Sequence, residues 1–592
     1  MIRVICTTLL VETSPQAMPL GAACIASAIK SHPKTAGHFS VELQDFSLED
    51  AALRSLPADA EKAAYIARTL AEPLAENTKS PAQTQNSVPA AVCFSVYVWN
   101  HTLLEAAARH LKKLLPECIC IAGGPEVTAN PAAFTNFDYT ISGQGEGAVP
   151  ELLADLFLQD SAADSKHNDC PQRKPIAGVY AIVSRKAVPP QGNGNSPSRA
   201  LPCLPAELSS PYLDGTIDPS RYGGALWELA RGCPFKCSYC YESKGEQKIA
   251  YFPLERLEKE IELFAAKRIP QVFVLDPTYN ANKQRAVSML KIIAKKAPGM
   301  FFYFEARAEF IDRELARAFS SIPCALQIGL QSADPAVLKN VHRTLDKKLF
   351  TRNIGYLNDA GVTFGFDLIY GLPGDTYAGF CRSIDFALSL YPNNLELFCL
   401  SVLPGTTLHD DAAGFGMEWE SQPPYHVLRT PQFSAKDLAK AEKLAQAVNL
   451  FYNEGRAVPW FNTVLFPLHK KPSAFFEEFA EFYAQQIQLP DKEMSARTPN
   501  IDGLQLDFIR AQYTTKHLEK LLPAAEDIIT MNNALSRCTA TGKESTIQLR
   551  YHPDDLMSEY ATDLLFFAQN CGREKCRVRV FSGKNGVDWR TN

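Results

Sequence analysis

Six short apolar runs recur between residues 225 and 398, separated by amphipathic stretches of helix length, and this alternation leaves few folds open. The runs are Ala225–Ala230, Gln271–Leu275, Met300–Glu305, Ala325–Leu330, Thr363–Ile369 and Asn394–Phe398. Between and after them lie Leu254–Ala266, Asn282–Lys296, Arg313–Ser320, Pro335–Asn340 with Lys348–Ala360, and Gly379–Leu390. Strands joined by helical crossovers pair in parallel, and six such units predict a (β/α) barrel, complete or open. Its active site would lie at the C-terminal ends of the strands.

Directly after the first run comes Arg231-Gly-Cys-Pro-Phe-Lys-Cys-Ser-Tyr-Cys-Tyr, which puts Cys233, Cys237 and Cys240 in one loop at that end. Thiolates hold iron–sulfur clusters, commonly four to a cluster. Here a fourth is missing, so a [4Fe–4S] cluster on these ligands would keep one iron open to another chelating molecule. Structural zinc is the competing reading, but it needs four donors, and no second CxxC or HxxxH lies nearby.

The spacing C-x3-C-x2-C, with Tyr239 just before the last cysteine, resembles the radical S-adenosylmethionine (SAM) superfamily. The resemblance implies that Cys233, Cys237 and Cys240 are the catalytic cluster ligands. It further implies that the open iron binds SAM, and that one electron then yields a 5′-deoxyadenosyl radical. It assigns Tyr239, Glu305, Arg307, Gln331, Ile369 and Leu372 to SAM. Read from chemistry alone, an acid can bond sugar hydroxyls and an arginine can fork onto a carboxylate, while Glu305 and Arg307 could equally pair with each other. Asp276, at another strand end, either faces substrate or caps the next helix.

The first 157 residues alternate in the same manner. Ile2–Thr7, Val41–Asp45, Ala90–Val96, Cys118–Ala122 and Tyr139–Ser142 read as strands, with helical stretches at Pro19–Lys30, about Leu48–Leu74, Thr102–Leu115 and up to Phe157. This predicts a doubly wound, Rossmann-like parallel sheet, whose ligands bind at the carboxyl ends of the strands. Gly123-Gly124 and Gly143-x-Gly145 sit at two such ends. The order of the two domains resembles the branch of the superfamily with an N-terminal cobalamin-binding domain. That likeness assigns Ser95, Tyr97, Gly123, Gly124, Gly143 and Gly145 to cobalamin. The loop after the first strand, Glu12–Gly21, lacks the histidine that replaces the lower axial ligand in domains of the methionine-synthase type. Either cobalamin is held without a protein ligand, the preferred reading, or the domain is a scaffold.

Residues 158–211 are rich in Ser, Pro, Asn, Gly and Asp and read as a linker, broken by a hairpin-like segment at Pro175–Ser184. The barrel then takes 212–430. The remainder, 431–592, reads as a mainly helical domain with strands near Ile547–Tyr551 and Arg577–Phe581, and resembles a C-terminal domain of unknown function in some family members. Cys571 and Cys576 are too few thiols for a metal. The whole is an α/β chain of three or four domains, as about 150 residues per domain suggests for 592.

Composition narrows the function. A net charge of −5 gives no sign of a nucleic-acid surface, and no run of about 18 apolar residues marks a membrane span. The first residues do not read as a signal peptide, and the many cysteines within apolar runs suit a reducing cytoplasm. The expected function is therefore a radical SAM enzyme using cobalamin, with methyl transfer to an unactivated carbon or phosphorus of a small molecule. Its implied partner is a one-electron donor such as flavodoxin or ferredoxin. A rearrangement or cyclisation without methyl transfer, and a redox or cobalamin sensor, are the alternatives. A transfer-RNA methylthiotransferase is disfavoured, because Cys6, Cys24 and Cys93 each lie within an apolar strand or helix.

Overall fold

A computed structural model describes residues 1–12, 14–75, 90–158, 175–188, 199–244, 248–487, 500–583 and 586–591. The polar stretch 76–89 and the linker residues 159–174 and 189–198 lie outside the described residues.

Five parallel strands build the N-terminal sheet: β1 (Ile2–Leu10), β2 (Phe39–Ser47), β3 (Ala90–Ser95), β4 (Ile119–Gly123) and β5 (Tyr139–Ile141), in the order β2-β1-β3-β4-β5. Every residue of β3 is buried, which is why its sequence is a continuous run of small and apolar residues instead of an alternation. Helices cover both faces. Ile66, Leu70, Leu104 and Leu111 pack on one, Ala22, Ala26, Ile29 and Leu152 on the other.

The segment expected to be a tether contributes to this sheet. β6 (Val179–Val183) and β7 (Lys186–Val188) continue it antiparallel from β5. Farther on, Ala200 N–H donates to Ser142 O at 2.6 Å, and the Cys203 amide to Gln144 Oε1 at 2.9 Å.

The second sheet holds β8 (Ala225–Trp227), β11 (Gln271–Val274), β12 (Phe301–Ala306), β13 (Cys324–Gln331), β14 (Thr363–Tyr370) and β15 (Asn394–Cys399), all parallel and in that order. Among the described residues β15 does not pair with β8, so the barrel is open. Phe302, Phe304 and Ala306 turn outward and are buried, whereas the alternate residues Tyr303 and Glu305 turn to the interior. Trp227 is enclosed between Phe264 and Phe302, and its indole donates to Glu260 at 2.8 Å.

One expected strand is shorter than read. The Ala225–Ala230 run breaks after Trp227, and Ala230–Arg231 forms a separate two-residue strand, β9, antiparallel to β10 (Ala250–Tyr251). Asp276 causes the break: its Oδ1 accepts the Leu229 and Ala230 amides at 2.8 and 3.0 Å, replacing ladder bonds.

Beyond the barrel, helices Ala435–Val448, Pro472–Ile487, Ile501–Thr515 and Leu522–Thr541 surround Phe451, Phe475, Phe479 and Phe508. A turn at 516–521 joins the last two of these helices. A three-stranded antiparallel sheet closes the chain. One apolar core runs continuously from the barrel into this region. Among the described residues no helix is long and apolar enough to cross a membrane.

Candidate active site

The carboxyl ends of the two sheets face each other across a cavity of about 380 Å³. Its N-terminal wall is the set of strand-end residues Ser95, Tyr97, Gly123, Gly124, Gly143 and Gly145, joined by Gly21 from the start of the first helix. Its other wall is Glu228, Ala230, Arg231, Gly232, Tyr241, Glu242, Leu275 and Pro277, which flank the cysteine loop or end β11. Arg199, Ala200 and Pro202 enter from the supposed linker, where no sequence signal marked them. The ring of Tyr97 stacks on Trp99, with centroids 4.6 Å apart and planes 3° from parallel. Burial, with the charges of Cys24, Glu146 and Glu228, pushes its phenol up to about 12.

The cysteine loop is fixed from several sides. Asp276 holds the two residues before Arg231. Ser238 donates its amide to Val341 O at 3.1 Å and accepts from Leu408 N–H at 2.8 Å. Cys233 and Cys237 are buried and Cys240 is half-buried. Burial pushes the Cys240 thiol up to about 11, and negative charge on Cys237 and Cys233 opposes its ionisation. Burial also raises Cys233, against amide and Thr278 hydrogen bonds that favour its thiolate. Three thiols close enough to feel one another's charge suit a cluster, which takes its ligands at separate irons. No trio of described His, Cys, Asp or Glu side chains is drawn tightly enough for a single metal ion.

Arg343, which sequence reasoning missed, reaches this loop from beyond β13. It donates to Tyr239 Oη at 3.1 Å, to Gly329 O at 2.7 Å and approaches Cys237 Sγ at 3.8 Å, while its Nε has no partner. Only an arginine in a loop, away from any strand end, was visible in the chain.

The residues assigned to SAM fall into three groups. Glu305 borders the barrel interior, where burial and then the charges of Asp367 and Glu242 push its carboxyl up to about 7. Gln331 is nearly enclosed, holds φ at 65°, and leaves Oε1 without a partner. A non-glycine residue in the left-handed region is strained, and such strain gathers at functional sites. Ile369 is half-buried on the interior side of β14. Arg307 does not pair with Glu305: its guanidinium binds Glu309 at 2.6 Å and stacks 3.8 Å over Phe235, beside the cluster loop. The Leu372 side chain is fully enclosed in the apolar core, which leaves only its backbone for a ligand.

Residues 227–387 match the family model described as the radical SAM superfamily. That stretch is a radical SAM domain. It covers β11 to β14 and the cysteine loop, and residues 413–498 match a second family model, a protein of unknown function (DUF4080). Among curated relatives, the cobalamin-dependent radical SAM methyltransferase TokK of Streptomyces tokunonensis is 27% identical over 352 residues, 54% of this chain and 48% of that protein. The hopanoid C-3 methylase of Methylococcus capsulatus is 22% identical over 293 residues, 48% of this chain and 53% of that protein. The chain spans about half the length of the curated relatives it matches.

Among solved structures, the cobalamin-dependent SAM radical enzyme OxsB with aqua-cobalamin aligns with a TM-score of 0.57 at 12% identity, over 90% of this chain and 80% of that one. The radical SAM methyltransferase TsrM from Kitasatospora setae, with cobalamin and a [4Fe–4S] cluster, aligns at 0.53 and 14% identity, over 87% of this chain and all of that one. The likeness covers both α/β domains, so the radical SAM domain here follows an N-terminal sheet of the same fold.

Proposed function

We propose that this chain is a radical SAM enzyme that uses a [4Fe–4S] cluster, SAM and cobalamin to transfer a methyl group to an unactivated centre of a small molecule. One observation carries the reading: the Gly123-Gly124 edge and Gly232, next to Cys233, line the same cavity. A corrinoid held at the sheet ends would therefore share one space with the entry to the cysteine loop.

When bound, the cluster with SAM supplies a carbon-centred radical and cobalamin supplies a methyl group. The chain's own residues do the rest. Cys233, Cys237 and Cys240 would hold three irons. Glu305 carries a carboxyl raised by burial, and the buried Gln331 Oε1 and Arg343 Nε lack partners, polar groups suited to the polar ends of SAM. The glycines of the sheet ends let backbone approach a corrinoid closely. The two sheet ends with Arg199, Ala200 and Pro202 wall the space between.

The test is an oxygen-free preparation assayed for iron, sulfide and corrinoid, then incubated with SAM and dithionite. The reading expects 5′-deoxyadenosine from the intact chain and none from Cys237→Ala. Label from methyl-labelled SAM in a product supports methyl transfer, and an unlabelled rearranged product replaces it with radical isomerisation. Bound cofactors without any SAM cleavage would make the protein a sensor.

A further inference from the structure

Arg231 stands on the seam between the two sheets, two residues before Cys233. Its guanidinium reaches across to the N-terminal domain, where Glu146 lies at 2.8 Å and Gln144 Oε1 at 3.4 Å. On the barrel side it binds both oxygens of Glu228, at 2.9 and 3.0 Å. The ring of Phe252 closes over it at 5.7 Å. The Arg231 and Glu146 side chains are only 14% and 10% exposed. Burial alone would disfavour the cation, but the two carboxylates outweigh it and keep the guanidinium charged.

Pulling such a pair apart leaves an uncompensated buried charge, which is strongly unfavourable. The turn Gly143-Gln-Gly-Glu146 and the entry to the cysteine loop are thereby joined. The cavity touches both halves of the joint, Gln144, Gly145 and Glu146 on one side and Glu228, Arg231 and Gly232 on the other. A ligand that orders one half orders the other.

We propose that Arg231 is a positioning residue that couples the two cofactor sites, so that corrinoid in the cavity and iron on the cysteine loop strengthen each other's binding. This rests on the reading that both groups bind. The coupling is reciprocal, as any linkage between binding equilibria must be.

The experiment is an absorbance titration with hydroxocobalamin under argon, using iron-loaded and iron-free full-length protein. The intact chain should bind corrinoid about fivefold or more tightly when loaded with iron. Arg231→Met and Glu146→Gln should each reduce that ratio to within about twofold, while circular dichroism stays native. Glu146→Gln keeps the side chain's shape and carries the test if Arg231→Met does not fold. Equal affinities in the two forms of the intact chain, or a full ratio in the folded variants, would overturn the coupling. An intact chain that takes up neither iron nor corrinoid would instead overturn the functional reading.

Discussion

Arg343 donates to the hydroxyl of Tyr239 at 3.1 Å and comes within 3.8 Å of Cys237 Sγ, so one buried guanidinium bridges the cysteine loop and the backbone of β13. A cation beside a ligating thiolate favours the more negative state of whatever that thiolate binds. Arg343→Met should therefore lower the reduction potential of the cluster and slow 5′-deoxyadenosine formation about 10- to 100-fold, the range typical when groups that support metal ligands are lost. Tyr239→Phe removes only one of the bonds and should have the smaller effect. Potentiometric titration followed by electron paramagnetic resonance reads the first quantity, and an unchanged potential would exclude a role for Arg343 at the cluster.

The pH dependence of stability has a definite sign. Burial lifts Asp276 from the ordinary 3.8 to about 7, against the two amides that favour its charged form. The folded protein therefore keeps this proton to a higher pH than the unfolded chain does. Above about pH 7 the folded state bears the full penalty of a buried carboxylate, and below about pH 4 it bears none. Stability should fall as pH rises between those limits, by up to about 4 kcal/mol from this group. Asp367 and Asp375, both lifted to about 6 chiefly by burial, act in the same direction. Asp276→Asn keeps an acceptor for the Leu229 and Ala230 amides and removes the titration. Denaturant midpoints at pH 5 and pH 8 should then lie closer together than in the parent, and an unaltered gap would assign the slope to other groups.

The two α/β layers were legible because parallel strands buried on both faces read as unbroken apolar runs, as in β3, and because helical spacing between such runs admits few topologies. The cysteine loop stood out by its spacing and by the family resemblance that the spacing carries. What escaped depended on tertiary partners. Nothing in the chain says that Arg307 turns to Glu309 and not to Glu305, since both acids are two residues away. Arg343 lies in a loop after β13, and only the return of that loop to Cys237 gives it a role. Arg199 reaches the cavity from a Pro-, Asn- and Gly-rich stretch, because Ala200 is stitched to Ser142 by a backbone bond that composition cannot register. Leu372 was named through the family resemblance, and its side chain is part of the core.

Two glycines of the cavity wall separate stability from binding. Gly124 holds φ at 115°, and a Cβ there would meet the Val96 carbonyl oxygen, a backbone atom that cannot yield. Gly124→Ala should destabilise the protein by about 1–3 kcal/mol, with a lower melting temperature by circular dichroism. At Gly21 the obstacle is the end of a side chain, the Tyr97 hydroxyl, which can swing away. Alanine also favours the helix beginning at Leu20, by about 1 kcal/mol over glycine. Gly21→Ala should therefore leave the melting temperature nearly unchanged while driving the Tyr97 ring into the cavity. Corrinoid affinity should then drop about tenfold, equivalent to about 1.4 kcal/mol. If Gly21→Ala instead lowered the melting temperature as Gly124→Ala does, the Tyr97 ring would be a fixed part of the core rather than a wall that the ligand meets.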